Sequence, residues 1–89
     1  MWKIKNANNS SVKIAVAKSN TVTVGVFLKP GEFCICDSRM TASIDAQERR
    51  KFIEVDRNFD NDLKLKLGEV YNENALIKAV EETDKYTKS

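Results

Sequence analysis

The sequence predicts a mainly β chain with minor α content, built as a small antiparallel β-sandwich or partly open barrel of about five strands with one short helix, and ending in a C-terminal arm with a short helix of its own. Three observations predict it. Apolar residues recur at every second position in several short runs, Val12-Ile14-Val16 and Val22-Val24-Val26-Leu28 among them, which is the period of a strand with one buried face. The longest apolar stretch, Thr21 to Cys36, is interrupted once, by Lys29-Pro30-Gly31-Glu32. A stretch free of glycine and proline with helical end signals occurs at Thr41 to Lys51.

The elements follow in order. Trp2 to Asn6 reads as a strand with Trp2 and Ile4 inward and Lys3 and Lys5 outward. Asn6-Ala7-Asn8-Asn9-Ser10 is a turn, because these polar side chains bond their own backbone and asparagine tolerates the left-handed region. Val12, Ile14 and Val16 form the inner face of a second strand, and Lys18-Ser19-Asn20 turns the chain again. The next two strands, Thr21–Leu28 and Phe33–Cys36, are expected to form a central hairpin. Pro30 presets φ at the first central position of its turn and Gly31 accepts positive φ at the second. Phe33 to Cys36 is apolar on both sides, so this pair is read as the core of a four-stranded meander.

Asp37, Ser38 or Thr41 can cap the helix that follows. Asp45 lies early in it and Arg49, Arg50 and Lys51 close it, as the helix dipole prefers. Ile44 is its only large apolar residue, so one narrow stripe must hold it to the sheet. Phe52 to Val55 then reads as a fifth strand, and the β domain is assigned to residues 1–57.

Residues 58–89 form the expected extension. Leu63, Leu65 and Leu67 alternate with Lys64 and Lys66 in a strand pattern, although Leu63, Leu67, Val70 and Tyr71 also fit a helical stripe. Asn61-Asp62 before and Gly68 after favour the strand. From Asn72 or Asn74 as a cap, Leu76, Ile77 and Val80 make a narrow helical face. The apolar residues Phe59, Leu63, Leu65, Leu67, Val70, Tyr71, Leu76, Ile77 and Val80 are too many for a free tail and too spread for a second core. They are therefore assigned to a docking arm that adds a strand to a neighbouring protein, the alternative being that the segment folds back on its own body.

The chain has 89 residues, of which 31% are charged and 42% hydrophobic, which places it among single folded domains. Its net charge of +2 gives no argument for a polyanion partner. The charge is polarised, however: residues 1–40 hold six Lys or Arg against Glu32 and Asp37, and the remainder is mildly acidic. No run approaches the roughly eighteen apolar residues of a membrane span. The start Met1-Trp2-Lys3-Ile4-Lys5-Asn6 has no apolar signal core, so a protein made and used in the cytoplasm, or in something assembled there, is expected.

Chemistry is sparsely signalled. Cys34 and Cys36, two apart in a strand, would place their Cα atoms roughly 6.5 Å apart with parallel side chains, poor geometry for a disulfide. They are read as buried thiols. With no histidine in the chain, the usual general base is missing, and a zinc site would need ligands from a second chain. Glycines stand only at 25, 31 and 68, which makes no phosphate loop. A small barrel using Trp2, Phe27 and Phe33 with Lys3, Lys5 and Lys13 would suit single-stranded nucleic acid, but the three aromatics fall where the core needs them. The expectation is a non-enzymatic protein with no cofactor, no metal, no small-molecule substrate and no membrane or nucleic-acid partner.

The run from Leu28 to Val55, following Ile4-Lys5-Asn6, resembles small β-rich structural proteins of tailed bacteriophage virions. In these, a strand pair ending in Pro-Gly precedes a short helix with a Gln/Arg/Arg-like segment and a returning strand, here Gln47, Arg49, Arg50 and Phe52–Val55. The resemblance implies a virion subunit assembled in the host cytoplasm. It would be present in many copies in a symmetric assembly and bind the major capsid protein or neck and tail proteins. Capsid decoration is the first expectation and a neck or tail accessory position the second. A host-protein-binding phage protein and a nucleic-acid-binding barrel are the other classes.

Overall fold

Alternation of apolar and polar side chains builds six strands in the computed structural model, which describes residues 1–62 and 64–72. They are β1 (Trp2–Asn6), β2 (Val12–Ala17), β3 (Thr23–Leu28), β4 (Glu32–Cys36), β5 (Ile53–Asp56) and β6 (Val70–Asn72), with the helix α1 (Ala42–Arg49) between β4 and β5. An antiparallel sheet in the order β5-β1-β4-β6 faces a two-stranded sheet of β2 and β3. Ile4, Cys34, Cys36 and Ile53 from the larger sheet meet Val12, Ile14, Val16, Val26 and Leu28 from the smaller in one buried cluster, with Trp2, Val24 and Val55 at its margin. The architecture is thus a small β-sandwich of mainly β composition, as the periodicity predicts.

Strand partnership differs from the expected meander. β3 pairs with β2, from Val12↔Leu28 to Ala17↔Thr23, while β4 pairs with β1, from Trp2↔Cys36 to Lys5↔Phe33. No central hairpin of β3 and β4 exists; the two strands lie in opposite layers. The Pro-Gly turn explains why. Glu32 N–H donates to the Lys29 carbonyl at 2.9 Å and Gly31 has φ +84°, the geometry of a type II turn with Pro30 at its first central position. Turns of that hand splay the flanking strands instead of matching their twist, so the turn sends the chain across the sandwich. The Glu32 carboxylate accepts from Lys29 N–H at 2.7 Å and tightens the crossing.

The helix closes one open side. Thr41 is its N-cap, accepting from Ile44 N–H at 3.1 Å, and the same hydroxyl donates to the Ala15 carbonyl of β2 at 2.6 Å. Ser43 Oγ accepts from Ala15 N–H at 3.1 Å, and Asp37 N–H donates to the Ala17 carbonyl at 2.8 Å. These groups occupy the edge of β2 in place of a further strand, which removes an unpaired ladder. Ile44 is fully buried, and its truncation to alanine at a site this enclosed costs about 2 to 5 kcal/mol. At the C-terminus, Phe52 N–H donates to the Gln47 carbonyl and Lys51 N–H to that of Glu48, a Schellman motif with Lys51 at φ 63° where glycine is usual. The returning strand therefore starts at Ile53, one residue later than expected.

Two further expectations fail at particular residues. Val22, placed on the inner stripe of the third strand, lies in the turn before β3 and is exposed. The Leu63–Leu67 strand does not form across the described residues 64–67: Lys64 has φ 54°, and the Asn61 side chain bonds both Leu65 N–H and the Leu65 carbonyl at 2.9 Å, occupying groups a ladder would need.

Candidate docking surface

The two sheets expose different flanks. In an antiparallel pair, directly opposite residues turn their backbone polar groups either both toward or both away from each other. Ala15 and Ala17 point theirs away from β3, to Thr41, Ser43 and Asp37, so their partners Gly25 and Thr23 point theirs away from β2. Phe27, two residues on, does the same. β3 has no second neighbouring strand among the described residues, so the N–H and C=O groups of Thr23, Gly25 and Phe27 form an open sheet edge. All three residues are exposed, Phe27 at 60%.

The sequence reading assigns Phe27 with Trp2 and Phe33 to the core, and for Phe27 the structure corrects it. Phe27 has the parity of Lys13 and Gly25, the outer face of the small sheet, while Val26 and Leu28 fill the inner one. A signal was available. Thr21 to Leu28 holds eight residues with neither charge nor proline, although edge strands are commonly guarded by one or the other. The surroundings are cationic: Lys13 stands opposite Phe27 in the β2–β3 pair, and the Arg39 guanidinium donates to Thr23 Oγ1 at 3.0 Å and to the Val22 carbonyl at 3.4 Å. A methyl group built on Gly25 would stand 3.9 Å from Lys13 Cε, so the lysine stem runs along the bare backbone of Gly25 toward the edge.

The outer face of the larger sheet is covered in part by residues expected in the arm. Phe33 and Ile35 are buried but outside the main cluster, because they point to the opposite side from Cys34 and Cys36. Tyr71 of β6 stacks on Phe33 with ring centroids 5.9 Å apart, and Gly68 N–H donates to the Ile35 carbonyl at 2.8 Å. Lys3 Nζ lies 4.6 Å from the Phe33 ring centroid and 5.9 Å from that of Phe59. Tyr71 Oη also accepts from Lys66 N–H at 3.0 Å. Of the arm residues, Phe59, Leu65, Leu67 and Tyr71 are half-buried and Val70 is exposed; Leu63, Leu76, Ile77 and Val80 lie outside the described residues, as does the expected last helix. For residues 70–72 the fold-back arrangement is what the structure describes, since β6 pairs with Glu32 to Cys34.

Comparison of the chain with protein-family models, curated proteins and solved structures returned no match.

The two thiols are enclosed. Burial pushes the Cys34 thiol up to about 12 and the Cys36 thiol to about 11, with Cys36 beside the first and Asp37 beside the second adding to the effect. Both are free thiols in the core, where they serve as small apolar side chains. Among the described residues, no group of three or more His, Cys, Asp or Glu is placed to hold a metal ion, and no helix is long and apolar enough to cross a membrane. Glu48 and Arg57 form a two-bonded pair at 2.8 and 2.9 Å, and the Arg57 guanidinium lies 5.1 Å from the Trp2 ring centroid. The arginine's bonds hold the Glu48 carboxyl below its ordinary range. This ties α1 to the end of β5 and acts as a structural clasp.

Proposed function

We propose that the protein is a non-enzymatic structural subunit of a tailed-bacteriophage virion that works by docking on neighbouring virion proteins, decoration of the capsid being the foremost position and a neck or tail site the other. One observation carries the docking part of this reading. Among the described residues, the sandwich seals its core, its thiols and the β2 edge, yet leaves the β3 edge open beside an exposed Phe27. An open, uncharged strand edge is a liability for a free protein and an asset for one that functions in an assembly. The virion part rests on the resemblance carried by Leu28 to Val55.

Mass spectrometry of purified particles tests it. A structural subunit is present in many copies per particle and stays bound through density-gradient purification. Absence from particles, with the protein remaining in the soluble fraction of infected cells, would overturn the reading.

A further inference from the structure

The geometry points to β3 as a strand-addition site for an extended, acidic segment of a partner protein, which pairs with the backbone of Thr23, Gly25 and Phe27 and places a carboxylate against Lys13. The inference rests on the docking reading above and adds the site and the partner's chemistry to it.

Position comes from the ladder. The N–H and C=O groups of Thr23, Gly25 and Phe27 face away from β2, and these alternate residues are what an incoming strand would bond. Gly68 lies against the Val24 side chain on the inner face, and among the described residues no strand pairs with the outward groups of Thr23, Gly25 and Phe27.

The glycine supplies the specificity. Gly25 presents no side chain, leaving a gap on the outer face between Thr23 and Phe27, and Lys13 extends along that gap. A partner residue opposite Gly25 would have its side chain over this bare backbone, within reach of the ammonium. A glutamate or aspartate there gains an ion pair with little steric cost. Phe27, 60% exposed, covers an apolar partner residue at the diagonal position, where cross-strand aromatic contacts reach. Charge complementarity extends beyond that pair, since the Arg39 guanidinium donates to Thr23 Oγ1 at 3.0 Å at the start of the same strand.

The same features argue against a second copy as the occupant. Antiparallel self-pairing centred on Gly25 would set Gly25 opposite its equivalent and bring the two Lys13 ammonium groups together across the dyad on one face. Like charges so placed oppose self-pairing.

The test uses the full chain, labelled with nitrogen-15, and three capped seven-residue peptides alternating valine with glutamate, threonine or lysine. The glutamate peptide is expected to shift the amide signals of Thr23, Gly25 and Phe27 and slow their hydrogen exchange, with at least tenfold tighter binding than the lysine peptide. Lys13→Glu should reverse that preference. Gly25→Pro, which removes an N–H facing outward and not one of the β2–β3 ladder, should abolish binding; its thermal midpoint and spectrum report whether the fold survives. Equal response to the three peptides, absence of binding, or shifts confined to other elements would overturn the inference. So would sedimentation showing a dimer with these amides protected in the absence of peptide. Particles that incorporate Lys13→Glu and Gly25→Pro chains at the wild-type level would remove this site while leaving the virion reading standing. Absence of the wild-type protein from particles removes the virion reading whatever the peptides do.

Discussion

Asn6 Nδ2 donates a 2.8 Å hydrogen bond to the carbonyl of Leu28, and this bond runs between the two sheets of the sandwich. The same amide nitrogen donates to the Ser10 carbonyl at 2.9 Å, and its oxygen accepts from Asn8 N–H at 2.7 Å. One side chain, 3% exposed, thereby fixes the β1–β2 turn and the last residue of β3. Asn6→Leu is expected to cost about 2 to 4 kcal/mol, because it removes the buried bond to the Leu28 carbonyl together with two part-buried bonds of the turn. Asn6→Asp should cost at least as much, since it replaces the donor by a carboxylate facing two carbonyls. Urea denaturation of both variants measures this. Losses below about 0.5 kcal/mol in both would show that the Asn6 bonds are replaced by solvent.

Lys51 stands in the left-handed region at φ 63°, at the position of a Schellman motif that glycine fills without strain. Lys51→Gly is expected to stabilise the protein by up to about 1 kcal/mol, while Lys51→Ala, which keeps the Cβ, brings no gain. A rise in urea midpoint for the glycine variant alone is the expected result. Equal midpoints for the two variants would locate the strain elsewhere.

The strands were legible because burial alternates along them, and the stripes Val12-Ile14-Val16 and Val24-Val26-Leu28 lie inward as their period requires. Their pairing was harder to read. Pro30-Gly31 marks a turn with positive φ, but the separation of its flanking strands into two layers follows from the hand of that turn and not from the strand periodicity. Thr41 as cap was readable from its side chain, but its second bond to Ala15, 26 residues away, is a tertiary fact with no local signature. For Phe27 two signals compete: aromatic character suggests the core, whereas parity with Lys13 and Gly25 puts it outside. The described part of the candidate arm was opaque because the Asn61 side chain competes with the ladder that Leu65 would otherwise join.

The Gly31 turn has a purely backbone requirement. Its φ is +84° and nothing lies within 4 Å of the place where a Cβ would be, so a substitution meets no steric neighbour. Gly31→Val should cost roughly 1 to 2 kcal/mol and Gly31→Asn less, because asparagine tolerates positive φ. Equal losses from both, measured by thermal denaturation, would show that contacts and not φ set the cost.

Burial of the two thiols makes stability fall in alkali. Cys34 is raised to about 12 and Cys36 to about 11 when folded, whereas an unfolded cysteine titrates near about 8.5. Between these values the unfolded chain has released protons that the folded chain keeps, so raising the pH favours unfolding. The contribution is constant below about pH 8 and weakens the fold by about 2 kcal/mol per thiol at pH 10. A Cys34→Ala, Cys36→Ala double variant lacks this slope, so its stability relative to wild type should improve from pH 8 to pH 10. Parallel pH profiles would mean that the thiols ionise while folded.

The segment after Arg57 contributes to the body through residues 58–62 and 64–72, and truncation measures how much. Removing it takes away β6 and its pairing with Glu32 to Cys34, the Tyr71–Phe33 stack and the Gly68 bond to Ile35. It uncovers Phe33 and Ile35, each now 0 or 1% exposed, and re-exposing one such side chain costs about 1.5 to 3 kcal/mol. The two together amount to about 3 to 6 kcal/mol, against a total of about 5 to 15 kcal/mol for a domain of this kind. Chains ending at Arg57 are therefore expected to be largely unfolded or strongly destabilised, and Tyr71→Ala in the full chain should lose about 1 to 2 kcal/mol from the stack and its neighbours. A chain ending at Arg57 with the urea midpoint of the full protein would return residues 58–89 to the role of a detachable arm. Particle incorporation would then have to be measured on that folded truncation.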